Sequence, residues 1–370
     1  LGGINVILNL INSVSSSKNF GSKINIVLFT NSKKKLSKFK LDKRVEIIEC
    51  EELFNIGLMS KLIDKISIVL FGKTIFLEKF LKKYNIDFIL HTQLLTGKNS
   101  SIKSIIWIPD FQYLHFPDFF SFTYKFLKKI NILIYKHHAF KILLSSNSAL
   151  KDLNKICKIK KRKIIVNKFI FDVPRPKKLK IFLYLKKKYS LKKNFFYLPN
   201  QYWHHKNHIV VINALEQIKK NSKKNIIIYS SGSKDDYRFP KNFQNLIKIV
   251  KEKNLEKNYI YLGILPFLDV MSLMHHSLAV INPSLFEGWS STVEQAKSYN
   301  KKIILSNIGV HKEQSPQYAY YFEPWNYLKL SKILMKLYSS QNKSFSKKFD
   351  TSLKLKINIY AEKFCKNILI

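Results

Sequence analysis

The chain has 370 residues, 46% of them hydrophobic, and a formal net charge of +41 at pH 7. Its length holds two domains of ordinary size, and its hydrophobic content excludes wholesale disorder. Cys50, Cys157 and Cys365 are too scattered for a metal cluster or a disulfide framework, which suits a reducing cytoplasm, and no apolar run reaches the roughly 18–20 residues that cross a bilayer.

In chain order, 4–14 (INVILNLINSV) has apolar residues at helical spacing. Strands are predicted at 24–29, 45–48, 88–90, 104–108, 142–145 and 163–166, with helices between them, among them 73–84 and 120–140. This alternation indicates βαβ units on a parallel sheet and an acceptor-side domain over 1–172. The chain opens at Leu1, and the βα loop implied by Gly2-Gly3 has no strand before it. The first strand is therefore expected to be missing, and a chain of this extent to be unstable or inactive.

The segment 171–177 (FDVPRPK) reads as a linker, and with a short helix at 179–189 it fills 173–194. A second domain, 195–345, restarts the alternation with strands at 195–198, 225–230, 260–262, 278–281, 302–305 and 320–322. The tail reads as helical, its last part, 346–370, being placed to cross back to the first domain. The fold class is thus α/β, with two doubly wound, Rossmann-like domains facing across a cleft.

The positive charge is nearly all lysine; the arginines are Arg44, Arg162, Arg175 and Arg238. Lys, Asn, Ile, Phe and Tyr are abundant together and share AT-rich codons, so gene composition accounts for the lysines as well as function does. A surface this positive attracts anionic membrane leaflets and phosphorylated substrates in either case. Base recognition leans on arginine forks and interleaved stacking aromatics. Here lysines are spread through every predicted helix, so no specific nucleic acid is expected as partner, and a charge-driven nucleic-acid-binding protein is kept as an alternative.

Neither G-x-G-x-x-G nor a P-loop occurs, which removes the usual signal for nicotinamide cofactors and P-loop chemistry. No D-x-D triplet occurs either, so no cofactor and no metal site is expected; the adjacent Asp235-Asp236 reads as a solvated loop pair. The loop 200–208, NQYWHHKNH, packs Lys206 with His204, His205, His208 and Asn207 between a strand and a helix, where a lysine suits a diphosphate. A polar loop in a lysine-rich protein is the plainer reading of the same residues. The segment 107–120, WIPDFQYLHFPDFF, sets Asp110, Gln112 and His115 among aromatics at a strand end, as an acceptor pocket requires, while Asp118 after Pro117 reads as a cap for the next helix.

The densest signal is 279–306, strand, loop, helix and strand in succession. A helix that starts just past a parallel strand offers unpaired N–H groups and a positive dipole end to an anion. Ser291-Thr292-Val293-Glu294 fits a capping box, which gives Glu294 a structural duty. Glu287, between Phe286 and Gly288, has no such explanation and is the leading candidate for substrate contact.

Gly2-Gly3, WIPDFQ, LSSNSALKDL, NQYWHHKNH, YLGILP, NPSLFEGWSSTVEQAK and LSNIGVHKEQ together resemble the retaining glycosyltransferases of the GT-B fold, in particular family 4. Among these the chain looks most similar to builders of bacterial polysaccharides and lipopolysaccharides, often mannosyltransferases. The resemblance implies a sugar nucleotide as donor, a lipid-linked or glycan acceptor, and an enzyme peripherally attached to the inner face of the cell membrane. It implies that Lys206 neutralises the donor diphosphate, helped by the Ser290, Ser291 and Thr292 backbone and by Gly3, with Asn207 beside Lys206. It assigns Glu287 to the donor sugar and the Gly263 segment to the base. The family's second acid falls eight positions after the first, here Gln295; Glu294 is one residue early, a turn of about 100° on a helix. Gln295 can still hydrogen-bond ribose hydroxyls, so weakened donor binding is expected, and a protein that binds sugar nucleotide without turnover is a further alternative.

Overall fold

The computed structural model describes residues 2–36, 41–55, 57–91, 93–178, 180–340 and 349–369. The chain divides into two compact units, Leu1–Ile170 with Lys354–Ile370, and Phe171–Leu353. Both are α/β with all-parallel strand pairing, the architecture that alternating helical and strand-like runs dictate.

In the first unit, β1 (Ile26–Thr30) pairs with β2 (Val45–Glu49). A second sheet runs β3 (Phe88–His91), β4 (Lys103–Ile108), β5 (Lys141–Leu144) and β6 (Ile164–Val166), in that spatial order. The amphipathic N-terminal run forms the helix Gly2–Ser15, and the C-terminal helix Leu353–Leu369 is tied to this unit where the Asn167 amide donates to the Tyr360 hydroxyl at 2.9 Å.

Two helices lead into β3, Leu58–Phe71 and then Phe76–Lys82, the latter being the helix expected over 73–84, shorter at both ends. Gly72, at φ +70°, ends the first, its N–H donating to the Ile68 carbonyl. The second begins where the Asp64 carboxylate accepts the N–H groups of Ile75, Phe76 and Leu77 at 2.7, 2.9 and 3.1 Å. This cap reaches back eleven to thirteen residues, beyond any local pattern. Asp118 does not cap the helix Phe122–His138 as expected; Ser121 does, accepting the Tyr124 N–H at 3.2 Å, because Asp118 lies inside the short turn Pro117–Phe119.

In the second unit a six-stranded sheet has the order β12 (Ala319–Phe322), β11 (Ile303–Ser306), β10 (Val280–Asn282), β7 (Phe195–Leu198), β8 (Ile227–Ser230) and β9 (Tyr259–Tyr261). Strands β7, β8, β10 and β11 are buried throughout, as a sheet covered on both faces requires. From β7 the chain proceeds outward to β8 and β9, then returns to β10 and proceeds the opposite way to β11 and β12. The pair β7–β10 is therefore the point where strand order reverses, and loops leaving their carboxyl ends diverge to leave a crevice. Helices Asn242–Glu252 and Phe267–His276, not singled out in the sequence, help make these crossovers.

Replacing Asp64 by Ala leaves three backbone donors without their acceptor in a half-buried to buried setting. We expect a loss of about 2 kcal/mol in urea unfolding; an unchanged midpoint would show that water satisfies the helix end equally well.

Candidate functional site

Two loops leave the reversal point, 199–207 after β7 and 283–290 after β10, and they meet through their charges. Lys206 Nζ donates to Glu287 Oε1 at 2.7 Å, across 81 residues of sequence. Both side chains are largely buried, 16% and 10% exposed, so the pair is held in a low-dielectric setting. Burial pushes the Glu287 carboxyl up, but Lys206, ahead of His311 and His205, pulls it further down, to about 2. Glu287 is an anion at neutral pH.

Each partner is placed by its own turn. His204–Lys206 form a single 3-10 turn closed by Asn207 in the left-handed region at φ +55°. Both amide donations of Asn207 go to backbone, to the carbonyls of Pro283 and Pro324 at 3.1 and 2.7 Å. Asn207 thus fastens the Lys206 loop to the Glu287 loop, a structural duty the motif did not reveal. On the other side, Ser284 Oγ lies 2.7 Å from both Glu287 Oε1 and Asn282 Oδ1. Asn282 receives the Asn200 amide at 3.0 Å and donates to Ser290 Oγ at 2.8 Å. A buried polar chain therefore runs from the end of β7 through the end of β10 to the start of the next helix.

That helix is Ser291–Ser298, and its N-cap is Ser290, whose side chain accepts from Val293 N–H. The capping box expected from Ser291 starts one residue too late, because Ser290 already holds the cap. Ser291 and Thr292 occupy the first two helical positions, whose N–H groups have no carbonyl one turn earlier to bond, so they and the dipole end face the loop. Glu294 is buried; its Oε1 accepts from Gln314 Nε2 at 2.9 Å and Lys297 Nζ at 3.2 Å. Gln314 also brackets Ser290, donating to its carbonyl and lying 3.3 Å from its N–H. Gln295, on the next position, is half-buried.

The histidines separate. His208 is a packed core residue, stacked on Tyr202 at 4.1 Å with its nitrogens on Tyr259 Oη and the Gln201 carbonyl, and burial lowers its pKa to about 4. His204 offers its backbone N–H to Asp236, and its ring stacks on Phe239. Asp236 is 1% exposed and also accepts from Arg238 N–H, so it is a buried anchor of the Lys206 turn; of the expected solvated pair, only Asp235 is exposed. His205 and His311 are buried and neutral, lowered by burial to about 3 and about 4. His311 Nδ1 donates to the Ser306 carbonyl at 2.9 Å, and its Nε2 is buried with no hydrogen-bond partner among the described residues.

Two glycines set the next two strand ends. A Cβ on Gly232, at φ +142°, would lie 2.7 Å from the Asn200 carbonyl oxygen, so only glycine lets the loop after β8 close on the loop after β7. Gly263, at φ +85°, has open space around it and accepts from Gly232 N–H at 3.0 Å. The Lys206 turn also borders a cavity of about 720 Å³, lined among others by Asn207, Arg238, Phe239, Ile209 and Leu285. Among the described residues, no three His, Cys, Asp or Glu side chains are grouped to hold a metal ion.

In the first unit, Asp110 Oδ1 accepts the Gln112 N–H at 3.0 Å, and Gln112 is buried. His115 Nε2 lies 2.7 Å from Asp152 Oδ2, and Lys155 donates to the other oxygen of Asp152, so His115 is tied to the helix Asn147–Ile156. Gly3 lies in the first turn of Gly2–Ser15.

Residues 183–352 match the family model of glycosyl transferases group 1. No curated protein matches the chain in sequence. Similar solved structures include a glycosyltransferase from Rickettsia africae, at 17% identity and TM-score 0.65, covering 96% of this chain and 93% of that one. Anabaena Alr3699/HepE in complex with UDP-glucose is similar at 13% identity and TM-score 0.67, covering 98% and 95%. WaaG, a glycosyltransferase involved in lipopolysaccharide biosynthesis, is similar at 11% identity and TM-score 0.61, covering 98% and 90%. The fold is GT-B, and with the family match it supports a glycosyltransferase.

The three buried imidazoles give a pH prediction. His205, His208 and His311 are held neutral well below their ordinary value of 6.5, so the unfolded chain binds more protons than the folded one between about pH 6.5 and 4. Their contribution is complete above pH 6.5 and is lost as pH falls, by up to about 1.4 kcal/mol per pH unit for each. Chemical denaturation between about pH 7 and 5 should show this slope, and His311→Gln should reduce it by about one proton; a flat profile would contradict the buried, neutral assignment.

Proposed function

We propose that the protein is a retaining glycosyltransferase that moves a hexose, with mannose favoured, from a nucleotide-diphosphate sugar to a lipid-linked or glycan acceptor in surface polysaccharide synthesis. The observation that carries this reading is the buried Lys206–Glu287 pair beside the N-terminus of Ser291–Ser298. An ammonium and a helix start are what a diphosphate needs, and a fixed carboxylate is what sugar hydroxyls need. A similar solved structure carries UDP-glucose and another is involved in lipopolysaccharide biosynthesis, which supports the donor class and the kind of product.

In this reading Lys206 turns from Glu287 to the diphosphate when donor binds, and Glu287 then accepts from the sugar. Substitution proceeds on the face the leaving group occupies. The developing charge on the diphosphate is met by Lys206 and by the Ser291 and Thr292 N–H groups, and a leaving phosphate oxygen takes the acceptor's proton. No protein nucleophile is required, and charge neutralisation by Lys206 and the helix start supports a metal-independent reaction. The Gly263 segment borders the base, Gln295 reaches ribose hydroxyls, and Asp110, Gln112 and His115 serve the acceptor. The excess of lysine supports attachment to an anionic membrane surface, on the cytoplasmic side in this reading.

Removing one member of a buried ion pair leaves the other charge unpaired, at about 3–5 kcal/mol. Activity should therefore be read on Lys206→Met with Glu287→Gln as a double variant, alongside the single alanine variants. With a panel of sugar nucleotides we expect turnover to fall by roughly 100-fold or more in each, while the double variant unfolds near the parent midpoint. Near-normal transfer by the folded double variant would refute the assignment. Nucleotide binding with no transfer by the parent chain would favour a binding-only protein.

A further inference from the structure

The helix Leu58–Phe71 in the first unit is inside out. Its buried positions are Asp64, Ser67 and Ile68; Asp64 caps the following helix, and Ser67 Oγ donates to the Lys73 carbonyl at 2.8 Å. Its solvent side carries Leu58, Met59, Leu62, Ile63, Ile66, Val69 and Leu70, with Leu58 86% and Val69 67% exposed. At about 100° per residue these seven side chains fall within an arc of about 140°. Lys61 and Lys65, both exposed, lie along one border of that arc, and the helix's one acid, Asp64, points inward. An ordinary surface helix turns its apolar stripe to the core; here the core takes the polar stripe.

A second helix of the unit repeats the composition. Phe122–His138 has no acidic residue, and exposed Phe122 and Phe126 stack at 6.2 Å among Lys125, Lys128 and Lys129. Ile68 and Ile132, one from each helix, belong to the same buried cluster, so both helices rest on one core.

We propose that the apolar face of Leu58–Phe71 docks on the surface of an anionic lipid bilayer, with Lys61 and Lys65 against headgroup phosphates. The chemistry selects this occupant. A 14-residue helix is about 21 Å long, and no helix among the described residues is long and apolar enough to cross a membrane, so it lies in the interface rather than spanning it. A second copy would set the same lysines against one another, whereas anionic headgroups complement them. The proposal deepens the membrane-attached part of the reading above and locates it in the acceptor-side unit.

The test is co-sedimentation of the full chain with phosphatidylcholine vesicles, with and without phosphatidylglycerol. Leu62→Ser/Ile66→Ser/Val69→Ser keeps the net charge and should weaken vesicle binding by about tenfold or more. Lys61→Gln/Lys65→Gln should weaken it on the anionic vesicles alone, and Lys248→Gln/Lys251→Gln in the other unit should leave it unchanged. The substituted apolar side chains are exposed, so the unfolding midpoint should hold; if the triple variant unfolds early, Leu58→Ser/Met59→Ser is read in its place. Vesicle binding unaffected by these serines would overturn the proposal. So would a lipid-free dimer that the same serines dissociate, which would give the face to a second copy. Nucleotide binding should be unaffected in every variant, so failure here is separable from failure of the transferase reading.

Discussion

A single ion pair, Lys206 Nζ to Glu287 Oε1, is the contact on which the second unit's arrangement converges. It exists because β7 and β10 are neighbours in the sheet although their sequences lie far apart, and because the chain leaves them in opposite directions. Loops that diverge from adjacent strand ends can face each other across a gap without being packed shut. Two opposite charges placed on those loops hold them together, and in the proposed reading both are groups that a sugar nucleotide takes over.

Such a pair is useful only if its surroundings are fixed, and here they are fixed by small polar side chains. Asn200, Asn282, Ser284, Ser290 and Ser306 stand at the carboxyl ends of the strands or in the loops that follow, all of them buried. They link strand ends to each other and to the cap of Ser291–Ser298, as in the Asn200–Asn282–Ser290 chain. Asn207 ties the Lys206 loop to the Glu287 loop through the Pro283 carbonyl and to the turn after β12 through the Pro324 carbonyl, and Gln314 clamps both Ser290 and Glu294. Buried hydrogen bonds of this kind hold the two loops and the helix start in fixed positions.

Much of this was legible in the sequence because strands covered on both faces read as continuous apolar runs. Phe195–Leu198 and the neighbourhoods of Ile303 and Ile227 announced themselves in that way, and so did the alternation that makes the sheets parallel. Lys206 and Glu287 stood out as charges at strand-to-helix turns. What could not be read were contacts between distant segments: Asp64 capping the following helix from inside the one before it, Asp236 buried under the Lys206 turn, Asn207 bonded to Pro324. A signal for the polar network was present, since Asn282 and Ser306 each close an apolar run, but its meaning depends on which strands become neighbours. The capping position shows the limit of local patterns: Ser290 and Ser291 both suit a cap, and the contact of Ser290 with Asn282 decides between them.

The central claim is that Lys206 is the diphosphate's counter-charge. Titration calorimetry can read it without turnover, by comparing a nucleoside diphosphate with its monophosphate in the parent chain and in the Lys206→Met/Glu287→Gln variant. The account predicts that the parent prefers the diphosphate by about tenfold or more, as one charge-assisted contact provides, and that the variant loses this preference while keeping its affinity for the monophosphate. An undiminished diphosphate preference in the folded variant would contradict it.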